Sequence, residues 1–226
     1  LKKARKRKRM NNTAGKGIII IVSGPSASGK GTVVSRALEK ADDARVDVQL
    51  SVSMTTRGIG KNEVDGETYY YVTKETFEEN ISRGNLAEYN SYAGEYYGTP
   101  KDKLESWLEA GNSVILEIDV NGARQVLEQY PDAVTVYILP PSFQELEYRL
   151  RNRGRDSEEK IKYRLAKGRD EIPEAHWYDY ILVNEIIEES ADDLLCIIRA
   201  ELCSRRRVEY KIDEVLSTYG EEEQND

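Results

Sequence analysis

The sequence predicts an α/β fold with a mostly parallel, doubly wound sheet, and three observations favour it. Apolar, strand-like runs alternate with amphipathic, helix-like stretches along most of the 226 residues. A Gly/Ser-rich loop separates the first such run from the first helix. Hydrophobic residues make up 39% of the chain, without an apolar run near the roughly 18 residues of a membrane helix. We therefore expect a soluble, cytoplasmic protein with one large domain and no membrane partner.

The first strand and loop form the stretch GIIIIVSGPSASGKGT, residues 17–32. Gly24, Gly29 and Lys30 meet three of the four requirements of the P-loop pattern, which binds phosphates through backbone N–H groups, a helix N-terminus and a lysine. The fourth requirement fails, because another glycine follows the lysine and the hydroxyl comes one residue late, at Thr32. An ordinary Gly/Ser turn is the alternative. The lysine, both glycines and the apolar strand favour a P-loop NTPase core.

A helix predicted over 32–40 and a strand over 46–52 follow this loop. Residues 53–99 interrupt the alternation and predict a small β-rich insertion. Its expected elements are a polar loop, a tyrosine-rich strand, a helix, a second such strand and an aromatic turn, at residues 58–65, 67–72, 74–83, 86–93 and 94–99.

The alternation of strands and helices resumes at residue 100. Helices are predicted at residues 100–110, 121–130 and 190–207, and strands at residues 113–118, 133–139 and 180–183. The core then comprises about residues 17–52, 100–141 and 174–208, followed at 209–226 by a helix end and an acidic tail. Cys196 and Cys203 lie about two turns apart on the last helix, which is too far for a disulfide, and are expected to be apolar filler in a reducing compartment.

Two polar helices predict a lid over about residues 142–173. Ser142 and Asp156 each precede a glutamate by three residues, the capping-box pattern of a helix start, and Gly154 lies between them as a hinge. A mobile segment can bring cations to a bound phosphate and exclude water. The cations here are Arg149, Arg151, Arg153, Arg155, Arg164, Lys167 and Arg169. A solvated helix face with i,i+4 partners is the alternative, favoured for Arg151 and Arg155.

Carboxylates at strand ends are candidates for base recognition. Glu88 lies in a short predicted strand, and Glu117 and Asp119 lie two residues apart at the end of another. Guanine offers N–H donors that carboxylates accept, but a carboxylate in this position can also organise Mg²⁺. The residues alone leave these two roles open.

The formal net charge of −8 hides a strongly basic start. Residues 1–9 carry seven Lys or Arg, so the remainder is more acidic than the total. Such a run can bind nucleic acid or a membrane surface, but we expect residues 1–16 to be a solvated, disordered extension. The acidic body argues against a nucleic-acid partner.

Nine ordered motifs across about residues 17–208 closely resemble bacterial guanylate kinases. They are SGPSASGKGTV (23–33), SVSMTTR (51–57), GETYY (66–70), LAEY (86–89), GEYYGTP (94–100), LEIDVNGA (116–123), YILPPS (137–142), RNRGRDSEEKIKYRL (151–165) and YDYILVN (178–184). The resemblance implies conversion of GMP and ATP to GDP and ADP with Mg²⁺. It also implies a GMP-binding insertion at about 53–99 and a lid at about 142–173 that close over the substrates.

The resemblance assigns roles by position. ATP would contact Gly24, Pro25, Ser26, Ala27, Ser28, Gly29, Lys30, Gly31 and Thr32, with Asn184 near adenine. Guanine would be recognised by Ser53, Glu88, Thr99 and Asp119, and the GMP phosphate by Arg57, Tyr69 and Tyr97. The catalytic cations would be Lys30, Arg57, Arg149, Arg153 and Arg164. We expect no direct protein ligand to Mg²⁺, which ATP phosphates and waters would hold, with Thr32 or Asp119 contacting those waters at most.

Two positions depart from the family pattern. Gly60 replaces a second arginine that usually follows Arg57 by three residues, so the GMP phosphate site is expected to be looser or built differently, with Lys61 as one replacement. Ala27 replaces a usual glycine, and its β-carbon is expected to require a negative φ.

Other functions remain as alternatives. A kinase for another nucleoside monophosphate or a sugar phosphate would use the same core, but the carboxylates Glu88 and Asp119 argue for guanine. A non-catalytic module that binds phosphorylated peptides would not need Lys30 or the lid arginines. The sequence is compatible with a homo-oligomer and does not define the oligomeric state.

Overall fold

The computed structural model describes residues 16–92, 94–154 and 156–219. Predictions about residues 1–15, about Arg155 and about the acidic end at 220–226 lie outside these residues. The strands are β1 (Ile19–Ser23), β2 (Val48–Leu50), β3 (Met54–Thr55), β4 (Tyr70–Tyr71), β5 (Leu86–Tyr92), β6 (Glu95–Pro100), β7 (Ser113–Glu117), β8 (Val134–Leu139) and β9 (Tyr180–Val183). The helices are α1 (Lys30–Asp43), α2 (Lys74–Ser82), α3 (Lys101–Glu109), α4 (Val120–Gln129), α5 (Phe143–Asn152), α6 (Glu158–Glu171), a 3₁₀ helix (Ile172–Trp177), α7 (Ile187–Leu202), α8 (Arg205–Val208) and α9 (Tyr210–Ser217).

A five-stranded parallel sheet forms the centre of the fold, in the order β2-β7-β1-β8-β9. Successive side chains of β1 point to opposite faces. Ile20 packs in a cluster with residues of α1 and α7, and Ile21 packs in a second cluster with residues of α3 and α4. All of β1 is buried, as expected for a parallel strand covered by helices on both faces. The predicted doubly wound α/β class is confirmed.

Element boundaries in the core agree with the sequence pattern in most places. The strand at 180–183 matches its prediction, whereas β2 has only three residues of the predicted 46–52. The predicted helix over 190–207 is wrong at both ends, because α7 begins at Ile187 and stops at Leu202 before α8. Cys196 and Cys203 are free but exposed, so the expectation that they fill the core is wrong.

The insertion at 53–99 folds around a second sheet in the order β4-β3-β6-β5. The predicted turn over 94–99 is wrong, because residues 95–100 form β6, antiparallel to β5. Only Gly94, with φ of 87°, has the left-handed conformation of a turn residue there. Strand β3 was not predicted, and the strand expected over 67–72 contracts to β4.

Helices α5 and α6 occupy the segment predicted as a lid. The Glu145 N–H donates to Ser142 Oγ at 3.0 Å, so Ser142 caps α5 as expected. Asp156 was the wrong cap for α6, because Ser157 accepts the Lys160 N–H at 3.4 Å. Asp156 instead pairs with Arg164 in the next turns of α6, which gives its carboxylate a cationic partner.

Phe77 tests the packing of the second sheet. It is the fully buried residue of α2 and stacks on Tyr96 of β6 with ring centroids 5.2 Å apart. We expect Phe77→Ala to lower the free energy of unfolding by about 3 to 5 kcal/mol in urea denaturation, because it leaves a cavity. The chain's other phenylalanine, Phe143, is 39% exposed, and Phe143→Ala is the matched control. A loss below about 1 kcal/mol for Phe77→Ala would contradict this packing.

Candidate active site

The Gly24–Thr32 loop connects β1 to α1 at the carboxyl edge of the central sheet. Gly24 and Gly29 have φ of 148° and 93°. A β-carbon at Gly24 would lie 2.2 Å from the carbonyl oxygen of Ile138, and one at Gly29 would lie 2.2 Å from Nδ2 of Asn184. Only glycine fits at either position. Because α1 begins at Lys30, its free N–H groups and dipole face the loop, which is the arrangement that binds an anion.

Ala27 adopts a φ of 72°, so the expected negative φ is wrong. The left-handed conformation costs a residue with a β-carbon about 1 to 2 kcal/mol. The Ala27 methyl group packs in a cluster with Leu146, Leu150 and Ile161 of α5 and α6. Burial of that methyl group offsets part of the cost. It also joins the loop directly to α5 and α6.

Lys30 curls back over the loop. Its Nζ donates to the carbonyl oxygens of Gly24 at 2.5 Å and Pro25 at 3.2 Å. Burial lowers the pKa of Lys30, while the nearby Glu117 carboxylate acts in the opposite direction. A bound phosphate would offer the ammonium group stronger acceptors than these two carbonyls.

Arginines of α5 and α6 reach the same loop. Arg164 donates through Nη1 to Ser26 Oγ at 2.6 Å, and its Nη2 lies 3.5 Å from the Tyr92 hydroxyl in the second sheet. Arg149 donates through Nη2 to the Asn184 carbonyl at 2.9 Å and through Nη1 to the Ser28 carbonyl at 3.4 Å. The segment predicted as a lid thus contacts the loop at two points.

A pocket of about 370 Å³ lies beside the loop. Its lining includes Gly29, Thr32, Arg153 and Asn184. Asn184 is only 1% exposed and its Nδ2 donates to the Ser28 carbonyl at 2.8 Å, so its side chain supports the loop as well as lining the pocket. Arg151, by contrast, pairs with Glu147 and Glu158 and follows the alternative of a solvated helix face.

Glu88, in β5, is a buried carboxylate with only 5% of its surface exposed. Its side chain accepts the Thr99 hydroxyl at 2.7 Å, and a β-carbon at Gly122 would lie 2.8 Å from Oε2. Burial raises the pKa of Glu88 to about 7, assisted by the negative charge of Asp119 and opposed by the Thr99 hydrogen bond. Sequence reasoning did not identify Gly122, although the space it leaves for Glu88 is essential here.

Asp119 lies beside Glu88 and caps α4. Its Oδ1 accepts the Gly122 N–H at 2.9 Å, and its Oδ2 accepts Nδ2 of Asn90 at 2.5 Å. Asn90 was also missed by sequence reasoning, and only its alternation with Glu88 along β5 could have indicated it. Ser53 contributes its carbonyl oxygen to the Tyr70 N–H.

The three residues predicted for the GMP phosphate lie together. The Arg57 guanidinium carbon lies 5.4 Å from the Tyr69 ring centroid, and the Tyr69 and Tyr97 rings are 6.0 Å apart. Glu63, which sequence reasoning missed, forms a bidentate pair with Arg57. The structure therefore brings an arginine, two tyrosines and a carboxylate to one corner of the second sheet.

Within the part of the chain that the structure describes, no helix is long and apolar enough to cross a membrane. Nor do three His, Cys, Asp or Glu side chains of the described residues converge on a potential metal site.

A glycine loop with its lysine, arginines from a neighbouring helix pair and the carboxylates Glu88 and Asp119 define a P-loop protein of the nucleotide kinase type. The guanylate kinase family model matches residues 16–201. The guanylate kinase of Oceanobacillus iheyensis is 43% identical over 201 residues, covering 89% of this chain and 96% of that protein. The guanylate kinase of Lactiplantibacillus plantarum is 44% identical over 203 residues, covering 90% and 97%.

One solved structure agrees with this assignment. The crystal structure of guanylate kinase from Anaplasma phagocytophilum is 34% identical, with a TM-score of 0.71, and the match covers 91% of this chain and 96% of that one. The chain belongs to the guanylate kinase family.

The raised pKa of Glu88 predicts a pH-dependent stability. The folded state prefers protonated Glu88, so this contribution is present below the usual value of 4.5 and is lost as the pH rises through about 7. We expect Glu88→Gln, measured against the wild type by urea denaturation, to gain about 2 to 3 kcal/mol in relative stability between pH 5 and pH 8. The exposed Glu128→Gln is the control. A difference that does not change with pH would show that Glu88 is not protonated by burial.

Proposed function

We propose that this chain transfers the γ-phosphoryl group of ATP to GMP and forms ADP and GDP, a step of purine nucleotide metabolism. One observation carries the proposal. The phosphate loop with Lys30 and the carboxylates Glu88 and Asp119 lie near one another in a chain of the guanylate kinase family. Strand β1, which leads into the loop, pairs with β7, and Glu117 at the end of β7, two residues before Asp119, lies against Gly31. We further propose a cytoplasmic enzyme.

Guanine recognition follows from the acceptors around Glu88. An ionised Glu88 would accept the N1–H and the exocyclic amine of guanine, which both donate. The Thr99 hydroxyl holds the carboxylate in place through Oε1. Asp119, oriented by Asn90 and by the start of α4, would supply a further acceptor. Adenine, which offers an unprotonated ring nitrogen at the same edge, would leave these acceptors unpaired.

Phosphoryl transfer requires positioning and charge neutralisation. The GMP phosphate enters ionised, so no general base is needed, and the loose transition state places charge on the transferred oxygens. Lys30 would leave the carbonyls of Gly24 and Pro25 and follow those oxygens. Arg149 and Arg153 beside the loop, and Arg164 from α6, would neutralise the same charge and exclude water as the segment closes.

Mg²⁺ would accompany ATP and would supply positive charge that neutralises its phosphates. The donors beside the loop suit this ion. Thr32 lines the pocket, and Glu117 lies against Gly31, where a β-carbon would be 3.4 Å from Oε2. Mg²⁺ usually keeps waters and substrate phosphates as most of its ligands, so a site with one hydroxyl and one carboxylate suits it. Thr32 and Glu117, with Asp119, would hold its waters rather than the ion itself.

The substrate assignment is tested by ADP formation with GMP, AMP, CMP and UMP in turn. We expect GMP to be preferred by at least about 10³-fold in kcat/KM, because the other bases leave buried acceptors unpaired. Equal turnover of AMP would contradict guanine recognition. Binding of GMP without turnover would favour the non-catalytic module.

Lys30→Ala tests the phosphate loop. We expect kcat to fall by about 10²-fold or more, because the variant loses a cation that acts on the moving phosphoryl group. Folding should survive, since burial of the ammonium already disfavours its charged form. Circular dichroism and thermal unfolding check this, and the exposed Lys74→Ala is the matched control. Turnover of Lys30→Ala at the wild-type rate would refute its role.

A further inference from the structure

Arg57, the cation predicted to bind the acceptor phosphate, is held by a carboxylate in the same loop. Its Nη1 and Nη2 donate to Oε2 and Oε1 of Glu63 at 2.9 and 2.7 Å. Oε2 also accepts the Gly60 N–H at 2.7 Å and the Tyr71 hydroxyl at 2.8 Å. These bonds, chiefly that with Arg57, lower the pKa of Glu63 to about 2. The carboxylate is therefore ionised near neutral pH and its acceptor positions are occupied.

The other surroundings of the guanidinium group are aromatic. Its central carbon lies 5.4 Å from the ring centroid of Tyr69 and 6.0 Å from that of Tyr71. Nη1 also donates to the Gly58 carbonyl oxygen at 3.3 Å, and the hydrogen bonds to Glu63 raise the pKa of Arg57. The orientation of Arg57 is thus determined on several sides by residues of its own sheet and loop. Its N–H groups are directed before a phosphate is present.

The surroundings of Gly60 explain why the arginine of the family pattern is absent from this position. A β-carbon at position 60 would lie 2.6 Å from Oε2 of Glu63 and 2.9 Å from its carboxyl carbon. A side chain at position 60 would therefore overlap the Glu63 carboxylate in its observed place.

We propose that Glu63 is a positioning residue of the acceptor-phosphate site, which acts by holding the Arg57 guanidinium group in the orientation that binds the GMP phosphate. The inference rests on the proposed GMP kinase activity. A free arginine loses rotamer freedom when it binds an anion, whereas one already bound to a carboxylate has lost it beforehand. The charge of Glu63 acts in the opposite direction and repels the phosphate. Its four donors reduce that repulsion, so the orienting effect dominates.

Glu63→Gln changes the shape of the side chain little. It removes the bidentate acceptor, because the new amide group turns its N–H donors toward the N–H groups of Arg57 or Gly60. We expect the KM for GMP to rise about ten-fold, with kcat changed less than about two-fold and the KM for ATP unchanged. Glu67→Gln is the matched control, since Glu67 is exposed in the same loop and carries the same charge.

Gly60→Ala is an independent variant that changes no charge. Its β-carbon displaces the Glu63 carboxylate, so the KM for GMP should rise in the same direction. Calorimetric binding of GMP and of guanosine separates the phosphate from the base. Both variants should bind GMP more weakly and guanosine as the wild type does. In an Arg57→Ala background, Glu63→Gln should cause no further loss of GMP affinity.

Three results would overturn the proposal. One is GMP affinity in Glu63→Gln equal to or tighter than that of the wild type, which would mean that repulsion dominates. Another is an equal loss of guanosine and GMP affinity, which would indicate a general distortion of the insertion. The third is a loss of GMP affinity in the Arg57→Ala, Glu63→Gln double variant that equals the product of the losses in the two single variants. Absence of GMP turnover in the wild type would instead refute the proposed function, and the binding comparison would still decide the role of Glu63.

Discussion

The close approach of two glycines to neighbouring strands is the constraint on which the site depends. Gly24 lies against the Ile138 carbonyl in β8, and Gly29 lies against the Asn184 amide just after β9. Neither position has room for a β-carbon, and both need a positive φ. The loop is therefore held between three parallel strands. Its N–H groups and the first turn of α1 point at one place on the carboxyl edge of the sheet, where ligands of such folds bind.

Three of the predicted catalytic arginines are paired with carboxylates before any substrate is present. Arg57 pairs with Glu63 at 2.7 Å and Arg149 with Glu145 at 2.7 Å, and Arg164 lies 3.2 Å from Asp156. Each pair is partly exposed, so it adds little to stability. Its main consequence is geometric, because it holds a long side chain in one orientation. Lys30 differs, since its ammonium group rests on backbone carbonyls and is free to exchange them for phosphate oxygens.

The sequence by itself determined the features that depend on local chemistry. The alternation of apolar strands with helices requires no knowledge of distant contacts, and it correctly predicted the parallel class and the strand at 180–183. The P-loop pattern needs its glycines for their backbone conformation and its lysine for its charge, and all of these residues lie within nine positions of one another. The cap at Ser142 depends only on the N–H three residues later. The ordered motifs also predicted the guanylate kinase family, and the match to the family model confirms this prediction.

The tertiary structure decided the features whose partners are distant in the chain. Residues 95–100 resemble a turn in isolation, but pairing with β5 makes them a strand. Ala27 tolerates a positive φ because helices more than 100 residues later bury its methyl group. Asn90 and Gly122 matter because α4 packs on β5 and brings them to Asp119 and Glu88. Such positions follow from packing between elements, and the periodicity of a single segment carries no information about them.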